Sequence, residues 1–160
     1  MVLDVIRTKR AVREFSSQPV TEEIVREILE AGRLAQSSKN DQPWHFILVR
    51  DRETLRRLSA CGRYAGHLAG ADFAIALVMQ PGYDFDMGQT AAYLQLAAWD
   101  RGVASCLASM WEPDRAKAIL GIPQDKQFDT AISFGYPAKK PGKVRNRRPL
   151  EDVVLLEKWE

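Results

Sequence analysis

Cysteine, histidine and long apolar runs are all scarce in this sequence. Of its 160 residues, two are cysteine and two are histidine. Cys61 and Cys106 form neither a CxxC pair nor a disulfide framework, so we expect a reducing compartment and a cytoplasmic protein. Without clustered His and Cys ligands, a dedicated metal site is not expected. The longest apolar run spans residues 73–79, far short of the roughly 20 residues needed to cross a bilayer, so we expect no membrane span.

Repeats, low-complexity linkers and a secretory signal are also missing. Charged residues at positions 4, 7, 9 and 10 interrupt the N-terminal stretch before any apolar core, so no signal peptide is expected. The composition, 46% hydrophobic and 28% charged, excludes a mainly disordered chain. The length is typical of one domain, and we expect a single domain over residues 1–160.

Positive charge is concentrated near the two ends of the chain, although the net charge is only +2. Residues 139–148 contain six basic side chains and no acid, and a second basic group lies at positions 7, 9, 10 and 13. This distribution predicts one anion site assembled from both ends, and the alternative is a solvated basic tail. Residues 139–148 contain no aromatic side chain for base stacking and the overall charge is low, so we expect no nucleic-acid partner.

Hydrophobic periodicity and turn signals predict alternating helices and strands. Thr21 is typical of a helix N-cap, and the residues after it have apolar positions at helical spacing. Further helices are predicted at 51–58, 86–100 and 113–121. Buried strands are predicted at 44–49 and 73–79, a short strand at 103–107, and an alternating strand at 128–134. Such alternation favours three layers, with helices covering a sheet.

Sequence fingerprints for phosphate binding by a loop and for a hydrolase nucleophile are missing. No GxGxxG, no GxxxxGK[ST] and no GxSxG occurs. Any bound anion is therefore expected to be held by side chains, and an enzymatic role would need a borrowed cofactor.

Several segments, in order along the chain, resemble the FMN-dependent nitroreductase family. They are KRAVREF at 9–15, AQSSKNDQPWHF at 35–46, DMG at 86–88, LQLAA at 94–98, GVASC at 102–106, GYP at 135–137 and RNRRPL at 145–150. The resemblance implies an α+β fold, a nitroreductase-like three-layer α/β/α sandwich with a mixed, mainly antiparallel sheet flanked by helices. It also implies a homodimer that binds FMN at the subunit interface.

The resemblance implies roles for individual residues of the cofactor site. The FMN phosphate is expected to contact Lys9, Arg10, Arg145 and Arg147. Arg13 is expected at the pyrimidine edge of the flavin as the catalytic residue, where a cation stabilises the reduced state; a salt bridge to a neighbouring acid is its alternative. Ala11 stands where the family commonly has serine. The remaining cofactor-binding residues implied are Ser37, Ser38 and Asn40 along the ring and ribityl chain, His67 at the pyrimidine edge, and Ser105, Cys106, Leu107 and Ala108 near flavin N5.

The function implied is an FMN-dependent oxidoreductase. Hydride passes from NADH or NADPH through flavin N5 to a small electron-poor acceptor such as a nitroaromatic or a quinone. The alternative is a flavin-binding or storage protein with little turnover. We interpret Cys106 as a small buried residue rather than a reactive thiol, and we expect the apolar C-terminal stretch from Leu150 to Leu156 to dock on its own chain or on a partner.

Overall fold

Four antiparallel strands form the central sheet. The computed structural model describes residues 1–143 and 146–159, and its strands are β1 (Trp44–Val49), β2 (Phe73–Met79), β3 (Ala104–Ser109) and β4 (Gln127–Gly135). Their order in the sheet is β1-β2-β4-β3, and all three pairings are antiparallel. An isolated parallel bridge joins Ala11 to Ser105 at the edge of β3.

The helices begin and end at residues with recognisable capping chemistry. They are α1 (Val2–Thr8), α2 (Glu22–Arg33), α3 (Arg52–Ser59), α4 (Asp84–Asp100) and α5 (Pro113–Leu120). Thr21 Oγ1 accepts a hydrogen bond from Ile24 N, and Asp51 accepts one from Thr54 N. These bonds satisfy amide groups that the first helical turn leaves free. Gly121, with a φ of +67°, ends α5 in a left-handed conformation that suits glycine.

Two apolar cores lie on opposite faces of the sheet. Side chains of β2 alternate between them: Phe73, Ile75 and Leu77 belong to the core that includes α2 and α4. Ala74, Ala76 and Val78 belong to the core that includes α3 and α5. Because both faces of β2 are covered, all seven of its residues are buried. The expected three-layer α+β arrangement is therefore confirmed.

Strand β1 is an edge strand, which the sequence did not predict. Trp44 and Val49 are buried, but His45 and Leu48 are exposed. Among the described strands β1 pairs only with β2, so one of its edges is free. The strand predicted at 44–49 is present, but its predicted burial was wrong for His45 and Leu48, because apolar content alone does not reveal where a sheet ends.

The apolar C-terminal stretch does not dock on its own chain. Leu150, Leu156 and Trp159 are 68%, 83% and 91% exposed. Of the two expected docking surfaces, the described part of the chain therefore does not provide the first. No helix within the described residues is long and apolar enough to span a bilayer.

Candidate functional site

The two basic segments predicted from the sequence meet in one cavity. Its volume is about 500 Å³, and it is lined by residues 9–13, 141–143 and Arg147. Residues 11–16 bring the segments together because they run between the sheet edge and the chain that follows β4. Val12 N donates to Ser105 O at 3.1 Å on one side, and on the other Ala138 N donates to Glu14 O at 3.0 Å. We call this space the basic cavity.

The basic cavity has an excess of positive charge. Lys9, Arg10, Arg13, Lys143 and Arg147 line it, with no acidic side chain among the lining residues. None of these five forms a salt bridge within the described ranges 1–143 and 146–159. The sequence alternative for Arg13, pairing with a neighbouring acid, is thus not what the structure contains. Side chains of this kind can take up an anion without first breaking an ion pair.

Glu14, the acid that follows Arg13 in the sequence, forms an ion pair with Lys139. Lys139 Nζ lies 3.0 Å from Glu14 Oε2, and both side chains are well exposed. Neither residue lines the basic cavity. Of the six basic residues in 139–148, Lys139 therefore pairs with the acid next to Arg13 in sequence. Arg13 itself forms no salt bridge within the described residues.

Burial affects Lys9 and Arg10, two of the cationic residues that line the cavity. Desolvation lowers the pKa of Lys9, and the nearby Cys106 thiol opposes this shift. Arg10 Nη1 donates to Lys9 O at 2.6 Å and to Arg7 O at 3.3 Å. Its Nε is buried and has no hydrogen-bond partner among the described residues. A bound anion would offset the desolvation of Lys9, because it favours the charged form of the lysine. It would also offer hydrogen-bond acceptors to the Arg10 guanidinium.

His67 belongs to a buried polar cluster with Ser133 and the backbone of Cys106. Its Nδ1 is 2.7 Å from Ser133 Oγ, which in turn donates to Cys106 O at 3.2 Å. Burial lowers the pKa of His67, the charge of Arg13 lowers it further, and a backbone contact with Leu107 partly offsets both. Nε2 is buried and has no hydrogen-bond partner among the described residues.

The β3 residues predicted near the flavin lie at the sheet edge next to Ala11. Ser105, Cys106 and Ala108 are buried, whereas Leu107 is about half exposed. Burial raises the pKa of the Cys106 thiol, and Arg13 and Lys9 oppose that shift. The interpretation of Cys106 as a small buried residue agrees with its position, because the reactive thiolate is disfavoured there.

Ser37, Ser38 and Asn40 lie away from the basic cavity of their own chain. They belong to the loop 37–42, which joins α2 to β1 and includes one 3₁₀ turn at Ser38–Asn40. The lining of the cavity includes no residue of this loop. Arg145, which was expected at the phosphate, lies outside the described residues. The sequence reasoning did not assign Lys143 to the site, although its place in the basic run 139–148 was the available signal.

Comparisons with known proteins give a consistent assignment. The family model described as the Nitroreductase family matches residues 6–61 and 60–136. A relative from Archaeoglobus fulgidus, provisionally named NADH dehydrogenase/NAD(P)H nitroreductase, is 34% identical over 98% of both chains. An FMN-dependent nitroreductase from Clostridium difficile is 25% identical, with a TM-score of 0.89 over 98% of this chain and 99% of that chain.

A second solved structure is a complex with FMN. It is a provisionally named nitroreductase in complex with FMN from Desulfovibrio desulfuricans, 29% identical, with a TM-score of 0.85 over 99% of this chain and 98% of that chain. The family match covers most of this sequence, and the relatives are matched over nearly their whole length. The chain therefore belongs to the nitroreductase family.

Proposed function

We propose that this protein is an FMN-dependent oxidoreductase that passes hydride from NADH or NADPH to a small electron-poor acceptor, such as a nitroaromatic or a quinone. The observation that carries the proposal is the basic cavity, in which five cations and no acid gather beside the edge of β3. Membership of the nitroreductase family supports it, as does the FMN bound to the relative from Desulfovibrio desulfuricans.

The residues of the basic cavity fit the phosphate end of FMN. A phosphate carries a charge near −2 and three acceptor oxygens, which suit arginine forks and a lysine. Lys9, Arg10, Lys143 and Arg147 would hold it, and the partnerless Nε of Arg10 offers one donor. The volume of about 500 Å³ lies within the range usual for cofactor sites, about 300–1,000 Å³. When bound, the flavin supplies a hydride acceptor and donor at N5.

Arg13 is the proposed catalytic residue. Arg13 lines the cavity and is exposed, and no acid of the described residues forms a salt bridge with it. A fixed cation of this kind stabilises negative charge that develops on the pyrimidine edge during reduction. Because the charge is already in place, no reorganisation is needed at the moment of transfer.

Strand β3 would provide a rigid backbone next to the reacting atoms. Pairing with β4 holds it on one side, and the bond from Val12 N to Ser105 O holds it on the other. The segment Ser105–Ala108 is therefore suited to present backbone N–H groups in a fixed position, while Cys106 fills space beneath.

We also propose that the protein is a homodimer whose site is completed by the second copy. Ser37, Ser38 and Asn40 do not reach the cavity of their own chain, so a partner subunit would have to contribute them. A second copy would also cover the exposed apolar side chains at the C-terminus, which include Leu156 and Trp159. Contiguous exposed apolar surface is typical of an interface.

The visible absorption spectrum of the purified protein is the first test. A flavin spectrum, with FMN identified after acid release, supports the cofactor assignment. Oxidation of NADH or NADPH with a quinone as acceptor then supports turnover. A colourless protein that also fails to bind added FMN would contradict the proposal, and bound FMN without turnover would favour the flavin-storage function instead.

A further inference from the structure

Backbone strain is concentrated in the loop 37–42. Three of its residues, none of them glycine, have left-handed backbone angles: Lys39 with φ of +50°, Asn40 with +59° and Gln42 with +49°. A side chain with a Cβ is disfavoured in this region, and asparagine tolerates it best. Several such residues in succession persist only where the surrounding structure holds them.

The N-terminal end of α4 contacts the loop through two side chains, that of the N-cap residue Tyr83 and that of Asp86 in the first turn. Asp86 Oδ2 accepts a hydrogen bond from Ser38 N at 3.2 Å, and Tyr83 OH donates to Asp41 Oδ2 at 2.9 Å. Asp86 is only 6% exposed, which is unusual for a carboxylate. Its position in the first turn of a 17-residue helix places the negative charge where the helix dipole favours it.

Two hydrogen bonds join residues within the loop. Ser37 Oγ accepts from Gln42 N at 2.9 Å, and Asp41 N donates to Ser38 O at 2.9 Å. The side chains of Ser38 and Asn40, in contrast, are exposed. The backbone of the loop is therefore hydrogen-bonded to the protein, while the polar side chains of Ser38 and Asn40 face outward. Asp86 is buried and cannot itself reach a ligand.

We propose that Asp86 and Tyr83 are positioning residues that hold the loop 37–42 in the strained conformation needed to contact the flavin site of the second copy. The contact of the loop with the flavin rests on the proposed function. The holding of the loop by Asp86 and Tyr83 rests on the geometry of the chain alone. Asp86 acts through Ser38, and Tyr83 acts through Asp41. Neither residue touches the cofactor or the reacting atoms.

The test compares Asp86→Ala with Asp86→Asn and with a matched control, Asp84→Asn. Asp84 lies in the same helical turn as Asp86, and its substitution by asparagine removes the same charge. Its hydrogen-bond partner, however, is Gln127 rather than the loop. Three quantities are measured: FMN affinity by fluorescence quenching, amide hydrogen exchange across 37–42 in the FMN-free protein, and affinity for inorganic phosphate. Phosphate reports on the basic cavity, which the loop does not line.

We expect Asp86→Ala to weaken FMN at least tenfold and to speed exchange across 38–42, with phosphate affinity unchanged. Asp86→Asn should recover most of both losses, because its amide oxygen can still accept from Ser38 N. Adding Lys39→Gly to Asp86→Ala should also recover FMN affinity, since glycine adopts the left-handed conformation without a Cβ penalty.

Several outcomes would contradict the inference. Unchanged exchange and FMN affinity in Asp86→Ala would remove the positioning role, and so would an equal loss in Asp84→Asn. If Asp86→Ala does not fold, Tyr83→Phe decides, with an expected two- to fivefold weaker FMN affinity and faster exchange near Asp41; wild-type values would contradict the role. Failure of the wild type to bind FMN would instead contradict the proposed function, and the exchange data would still test the loop.

Discussion

The basic cavity and the loop 37–42 are both polar, but they satisfy their polar groups in opposite ways. In the cavity, five cations line the wall without an acid, and Arg10 Nε is buried with no hydrogen-bond partner in residues 1–143 and 146–159. In the loop, the backbone is bonded to Ser37 and to the buried Asp86. The cavity is thus a region of unbalanced charge, whereas the loop is a region of constrained shape.

This difference determines which conditions should affect each region. Interactions of unpaired surface charges depend on salt and pH, since mobile ions screen them and protons change them. A conformation held by hydrogen bonds to a buried carboxylate depends on individual contacts and much less on ionic strength. Substitutions in the cavity should therefore act through charge, and substitutions around the loop should act through geometry.

The largest expected effect is that of reversing one cavity charge. Arg147→Glu should weaken FMN at least 100-fold, because it removes a charge-assisted hydrogen bond, about 1.5–3 kcal/mol, and adds repulsion. Lys140→Glu makes the same charge change at an exposed position of the same segment outside the cavity and should cost less than about threefold. Fluorescence titration measures both, and equal losses would mean that only the overall charge matters.

The second prediction concerns the rate of reduction rather than affinity. Arg13→Ala should slow flavin reduction by NADH or NADPH about 100-fold, the usual cost of removing one preorganised charge-stabilising group. FMN affinity should fall much less, because Arg13 is proposed to act on the ring and not on the phosphate. Arg13→Lys should retain part of the rate. Stopped-flow absorbance measures it, and a wild-type rate in Arg13→Ala would rule out the catalytic role.

A smaller effect is expected from the pH dependence of FMN affinity. Burial lowers the pKa of Lys9 in the free protein, and a bound phosphate raises it again, so binding takes up a proton. Affinity should therefore fall as the pH rises through the lowered pKa, by at most tenfold per pH unit. Lys9→Arg, which stays charged, should bind FMN with little change from pH 7 to 10. Identical pH profiles of the two proteins would contradict this role of Lys9.

The smallest expected effect is on stability in acid. His67 has a lowered pKa in the folded protein, so the unfolded chain binds the proton more readily. Stability should be fully present above the ordinary value of about 6.5 and should decline as the pH falls from there through the lowered pKa. His67→Asn should flatten that decline in thermal unfolding, whereas His45→Asn, at an exposed position on β1, should not. Parallel curves for wild type and His67→Asn would show that His67 does not control this decline.

Short-range signals predicted much of the fold. The cap at Thr21 stands where the sequence indicated it, and the helices predicted at 51–58 and 113–121 are found at Arg52–Ser59 and Pro113–Leu120. Strand β2 was predicted as central from its apolar run and is buried along its whole length. Signals of this kind depend on a few neighbouring residues, which is why they can be interpreted without a structure.

Signals that depend on distant parts of the chain were not accessible in the same way. The exposure of Leu48 on β1 depends on whether another strand pairs beyond it. The hydrogen bonds of the buried His67 cluster involve Ser133 and Cys106, which come from β4 and β3. The contacts of Asp86 and Tyr83 with the loop likewise join residues more than 40 positions apart.

The sequence by itself determined the family, the position of most helices and strands, and the presence of two basic segments, because motifs, periodicity and charge are properties of the linear chain. Only the tertiary structure decided that Lys9, Arg13 and Arg147 share one cavity and that Lys139 neutralises Glu14. It also decided that Ser38 and Asn40 lie outside that cavity. The physical reason is that charge balance and burial depend on which distant residues the packed sheet and helices bring into contact.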